Sequence, residues 1–159
     1  MGIMLPGELA EAMGMMGVEF PGTDEDALQS AAGQWRNIAS QCSGWHGELS
    51  QAVDYIESTN ENAASETFTS YARGKSNVSG VQALGTNANA IADGFEKAAQ
   101  AVRGYKTTCI ATATTVTALI KAMRKAPGAD VEAVKQQIER AGTLLKQADA
   151  KTASAIGGN

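Results

Sequence analysis

Apolar and small residues recur every third and fourth position from Asp24 to about Ser58: Leu28, Ala31, Trp35, Ile38, Cys42, Trp45, Leu49, Ala52 and Ile56. This unbroken a/d heptad predicts one long helix over 24–58, roughly 50 Å from end to end at 1.5 Å per residue. A seam that narrow needs long partner helices lying nearly parallel or antiparallel to it. A second strict heptad begins at Val81 and runs through Leu84, Ala88, Ile91, Phe95, Ala98, Val102, Tyr105, Cys109, Thr112, Val116, Leu119 and Met123. It predicts a helix over 81–125, roughly 65 Å long. That helix is longer than the first, so its far end needs something else to pack on.

Shorter patterns fill the rest. Residues 3–17 read as a short helix, with Pro6 in its first turn, Glu8 and Glu11 near its positive end and Gly17 closing it. Its stripe of Leu5, Leu9, Met13 and Met16 reads as a flap on the end of a bundle. Phe20-Pro21 forces an extended connector, and Thr23 or Asp24 caps the long helix that follows. Glu25 and Asp26 sit where a helix dipole favours negative charge, so this acidic cluster reads as a helix start, not a metal site. Ala64, Phe68, Tyr71 and Ala72 give a short helix over 62–73, behind an Asn60-Glu61-Asn62 break that can cap it. Residues 73–80 are a polar linker with no phosphate-loop pattern.

Lys121, Arg124 and Lys125, then Pro127-Gly128, end the second long helix. Asp130 caps a last helix over 130–155, whose seam is Val131, Val134, Ile138, Ala141, Leu145, Ala148, Thr152 and Ala155. It should fold back antiparallel on the final third of its predecessor. No segment alternates as a strand does. The expected fold is all-α: an elongated antiparallel bundle of long hairpin-forming helices, one domain across residues 1–159.

Two features sharpen this picture. Gly33, Gly44 and Gly47 interrupt the first long helix at about 1 kcal/mol each, which suggests close approach of another backbone or a turn. The heptad stays in phase across Trp45-His46-Gly47, which favours a continuous helix over a turn. The threonine-rich stretch 107–123 suits a tight interface; insertion into lipid is the alternative, against which it is short and polar.

The net charge of −4 gives no electrostatic case for nucleic acid or an anionic membrane. No basic region followed by an apolar core opens the chain, and Pro6 stands where a myristoylation signal wants Ser or Thr. Cys42 and Cys109 fall on apolar seams and read as buried thiols, with a disulfide as the sharper reading. His46 is the lone histidine and stands near no cysteine pair, so neither a metal nor a Ser-His-acid arrangement is expected. No catalytic, metal-binding or cofactor-binding residue is identified, and no cofactor is implied.

A set of segments carries a family resemblance: IMLPGELAEAMG at the start, then VEFPGTDEDAL, AAGQWRNIA around Trp35, AASETFTSYARG around Phe68 and Tyr71, and ALGTNANAIADGFEKAAQAV. Together they resemble the WXG superfamily. The likeness over residues 3 to about 120 is greatest to the N-terminal helical domain of actinobacterial type VII-secreted polymorphic toxins and channel/necrotising toxins. The chain departs from that pattern in two places. Asn60-Glu61-Asn62 stands where a Trp-x-Gly turn is usual, and Trp45-x-Gly47 comes too early. The Tyr-xxx-acid export signal is missing, because Tyr55, Tyr71 and Tyr105 are followed four places on by Thr59, Lys75 and Cys109.

The resemblance implies a non-enzymatic module made in the cytoplasm and sent by a leaderless route to the envelope or beyond. Its implied partners are a small helical WXG-type protein, or a second copy, and the type VII machinery. Trp35, Trp45, Phe68, Tyr71, Phe95, Val116 and Leu119 are the candidate partner contacts. The competing expectation is a membrane-active, pore-forming helical protein inserting through 107–123.

Overall fold

The computed structural model describes residues 1–74, 77–126, 128 and 130–157. Lys75 and Ser76 of the expected linker, Pro127 of the expected stop, Ala129, Gly158 and Asn159 lie outside the described residues. Among the described residues the chain is an all-helical bundle without strands. A 3-10 turn, Gly7–Leu9, leads into α1 (Ala10–Met16); α2 (Glu25–Thr59), α3 (Ala63–Ala72), α4 (Val78–Lys125) and α5 (Val131–Gly157) follow. α2 runs unbroken through Trp45, His46 and Gly47.

Capping side chains fix several of the helix starts. Asp24 Oδ1 accepts from the backbone N–H groups of Asp26 (3.0 Å) and Ala27 (3.1 Å), so Asp24 and not Thr23 opens α2. Asn62 accepts from Ser65 N at the start of α3, and Asp130 from Ala133 N at the start of α5. The first helix is shorter than its apolar stripe suggested. Leu5 precedes Pro6 and is therefore biased to extended backbone, so helical structure begins only after the proline. Gly17 closes α1 in the left-handed conformation, φ 63°, which a side chain would resist.

The chain divides into two compact units: Met1–Gln29 with Glu96–Asn159, and Ser30–Phe95. α2 and α4 contribute to both. In the first unit, Leu9, Ala12, Met13 and Met16 are buried with Tyr105, Cys109, Ala113, Val116 and Ile120 of α4 and with Ile138 and Leu145 of α5. α1 is thus part of this core and not a flap over its end. α5 runs antiparallel to α4: Ile120 shares the core with Ile138, while Tyr105 lines a groove with Ala148 and Thr152. At Gly142 of α5 a Cβ would overlap the Met16 carbonyl oxygen and come within 3.2 Å of its carbon, so only glycine lets the end of α1 reach α5.

In the second unit, α2 and α4 meet through small residues. Ala32, Ala39 and Cys42 are buried on α2, and Gly85, Ala88 and Ala92 on α4. A Cβ on Gly85 would lie 3.1 Å from Cys42 Cβ and 3.5 Å from the Ala39 carbonyl oxygen, so the two helices are nearly in backbone contact there. At Gly33, Gly44 and Gly47 a Cβ would meet nothing within 4 Å, so close approach does not account for those three.

Each expected seam holds in part and is elsewhere displaced by one residue; on α2 Cys42 is buried and Leu28, Trp35 and Ile56 are half-buried, whereas Leu49 is exposed. On α2 the edge of Ala31, Ile38, Trp45 and Ala52 gives way to Ala32, Ala39, His46 and Val53. On α4 Leu84 and Ile91 give way to Gly85 and Ala92, and further along Ala98, Thr112 and Leu119 give way to Ala99, Ala113 and Ile120. Close helix spacing selects the smaller of two adjacent stripes, and the bulkier one is left on the flank.

Both cysteines are free and buried. Burial pushes the Cys109 thiol up, an effect that its hydrogen bond with Tyr105 only partly offsets. Native protein should therefore react with a thiol reagent hardly at all over minutes at neutral pH, and the two thiols should titrate at once in guanidinium. Rapid labelling of folded protein would contradict this packing.

Candidate partner interface

The displaced seam defines the site. On α2, Ile38, Trp45 and Leu49 are 39 %, 52 % and 42 % exposed; on α4, Leu84 and Ile91 are 52 % and 40 % exposed. Arg36 of α2 donates to Asn89 Oδ1 (3.1 Å) and pairs with Asp93 on α4, which marks one flank of this antiparallel pair. At 100° per residue, Ile38 and Trp45 lie on the other flank of α2, and Leu84 and Ile91 on the other flank of α4. With Gly85 opposite Cys42, Ile91 falls level with Ile38 and Leu84 level with Trp45. The residues interleaved at this helical spacing are Gln34, Gln41, Glu48, Asn87 and Gly94, of which only Glu48 is charged. Among the described residues, one side of this helix pair is therefore salt-bridged, and the other is a mainly apolar face with one carboxylate, Glu48, at its outer edge.

α3 extends that face into a groove. Leu49, Ala52, Val53 and Ile56 of α2, Phe68, Tyr71 and Ala72 of α3, and Val78 and Val81 of α4 line a space of about 410 Å³. Val53, Ala72 and Val78 form its buried floor. Phe68 and Tyr71 stand on the rim, 46 % and 72 % exposed. Arg73, just past α3, holds it against α2 by donating to Asp54 Oδ1 (2.6 Å) and Glu57 Oε2 (2.7 Å). Both carboxylates raise the Arg73 pKa by hydrogen bonding to its guanidinium.

The expected contact residues divide accordingly. Phe68 and Tyr71 line the groove together, Trp45 is exposed on the side of α2 that leads to it through Leu49, and Trp35 and Phe95 are half-buried in the same unit. Val116 does not belong with them: it is 2 % exposed in the core of the first unit, and Leu119 beside it is half-buried. The far end of α4 is covered within the chain, by α1 and α5. Ile38, Leu49, Leu84 and Ile91, all positions of the expected heptad seams, also reach the face.

The remaining chemistry is sparse. His46 lines a small polar cleft of about 200 Å³ with Ser43, Gln82, Thr86 and Asn89. Among the described residues no helix is long and apolar enough to cross a membrane. In the threonine-rich part of α4, Thr107, Thr108, Thr114 and Thr115 donate to carbonyls four residues back, while Cys109, Ala113, Val116 and Ile120 face the core.

A family model described as a WXG100-like domain matches residues 5–147. No curated protein and no solved structure matches the chain.

Proposed function

Because the chain belongs to the WXG100-like family, we propose that it is a binding and delivery module whose second unit docks a helical partner through the mainly apolar face of α2, α3 and α4. Members of this family are non-enzymatic helical proteins associated with type VII secretion; they generally pair with helical partners and leave the cell without a signal peptide. The observation that carries the reading is the exposed run of Ile38, Trp45, Leu84 and Ile91, continuous with the groove under Phe68 and Tyr71. Large apolar residues gathered on one side suit burial against a second helix pair better than open water. The partner is a small helical protein of the same superfamily or a second copy of this chain. The composite bundle is what a type VII machine receives, and the likeness to polymorphic-toxin N-terminal domains makes delivery of a toxic cargo its purpose.

Trp45→Glu tests the face with little effect on folding, since that side chain is half in water already. Sizing with light scattering, on the chain alone and co-produced with its neighbouring gene products, should show a dimer or heterodimer. The substitution should weaken that complex by more than about ten-fold, the effect of removing a central aromatic anchor. The thermal midpoint of the monomer should hardly move. A strict monomer at every concentration, alone and with those products, overturns the reading.

A further inference from the structure

The first unit holds a buried ion pair whose remaining hydrogen-bonding capacity is directed at a backbone. Glu25 and Lys106 are 1 % and 3 % exposed, with Lys106 Nζ 2.8 Å from Glu25 Oε2. The other oxygen, Glu25 Oε1, accepts from the Ile3 N–H, and Lys106 Nζ also donates to the Ile3 carbonyl oxygen at 3.0 Å. The Phe20 ring covers the ammonium, with its centroid 5.7 Å away. One residue of an extended segment is thus read at both its N–H and its C=O by opposite charges. Its neighbours add a pattern. A Cβ on Gly2 would come within 2.8 Å of Glu25 Cδ, Met4 points outward at 71 % exposure, and Leu5 packs against the core.

A buried ion pair is seldom worth more than apolar residues of the same size, so stability alone is a poor reason to have one. Recognition of a peptide group is a better one, because charge-assisted bonds to a part-buried N–H and C=O are stronger than those from neutral partners. We propose that the Glu25–Lys106 slot is a receptor for an extended segment of a partner polypeptide, of the pattern glycine, aliphatic, any residue, aliphatic. In the free chain its own residues 2–5 occupy the slot. Since the polar contacts go to backbone, what selects the occupant is the missing Cβ at the first position and the apolar side chains at the second and fourth. This site is separate from the face on the second unit and does not rest on that reading.

The test uses the full chain. Gly2→Val/Ile3→Pro crowds Glu25 and removes the N–H donor, expelling the leading segment while leaving the slot residues unchanged. The blocked peptide acetyl-Gly-Ile-Met-Leu-Pro-amide should bind this variant saturably, and at least ten-fold more weakly to the unmodified chain. The same peptide with valine in place of glycine should lose at least ten-fold, as should the original peptide on a variant also carrying Lys106→Met. If the double variant fails to fold, hydrogen exchange of the Ile3 amide in the unmodified chain is read instead, and millimolar peptide should accelerate it. Absence of saturable binding by a folded variant, equal binding of the valine peptide or of the Lys106→Met variant, or Ile3 exchange indifferent to peptide would overturn the proposal.

Discussion

Glu25→Gln should lower the thermal midpoint by several degrees and remove most of the acid sensitivity of the first unit. Glutamine keeps the shape and can still accept from Ile3, but it leaves Lys106 charged, buried and without its counter-ion. Adding Lys106→Met in the same chain should recover much of the loss, because a buried charge without a partner is worse than no charge. The pH dependence has a definite sign. Glu25 is held down from its ordinary 4.5 to about 2, first by the Ile3 N–H bond and then by the Lys106 hydrogen bond. Its carboxylate therefore contributes stability that is fully present above about pH 4.5 and is lost as pH falls through about 2. Thermal melts from pH 6 down to pH 2 should show a steeper fall for the unmodified chain than for Glu25→Gln. Parallel curves would mean that the pair contributes nothing through its charge.

Gly142→Val carries the second large effect. The position is filled by the end of α1, and the conflict is with backbone: the Met16 carbonyl oxygen lies where the new Cβ must go, with the carbonyl carbon at 3.2 Å and Cα at 3.4 Å. Backbone at the close of a helix cannot yield as a side-chain tip does, so α1 must lift from α5. Overpacking of this kind costs about 1–3 kcal/mol. It would expose Leu9, Ala12, Met13 and Met16, which are all buried against α4 and α5. Denaturant melts should show the loss of stability, and amide exchange across Ala10–Met16 should rise well above that of α3. A variant as stable as the parent, with α1 still protected, would show that α5 can shift to make room.

Much of this fold is legible in the residues. The long heptads, the Asn62 and Asp130 caps, and the antiparallel return of the last helix all follow from spacing and end chemistry. What the sequence hides is which of two adjacent stripes a helix buries. On α2, Ala31, Ile38, Trp45 and Ala52 make the more hydrophobic edge, and Ala32, Ala39, His46 and Val53 the more compact one. Hydrophobicity selects the first; closeness of approach, fixed by Gly85 on another helix, selects the second. The same ambiguity bears on the proposed interface. Trp45, Phe68 and Tyr71 are conspicuous as aromatics, but Leu84 and Ile91 belong to the face only because the seam moved past them.

The Glu25–Lys106 pair was hidden for a different reason. Glu25 has an adequate local explanation as an acid in the first turn of a helix, and Lys106 lies eighty-one residues away with no periodic signal joining the two. Val116 is a different case: the apolar run near the end of α4 is covered by α1 as well as by the returning α5, which makes Val116 a core residue and not a partner contact.

The alanine, glycine and cysteine seam of the second unit has a thermodynamic corollary. Such side chains shed little apolar surface on folding, and it is apolar hydration that gives unfolding its large heat-capacity increment. This half of the molecule should therefore have a shallow stability curve, changing little between cold and warm conditions. If a second molecule covers its larger apolar groups, as proposed, those groups enter the balance and the complex should show the sharper temperature response.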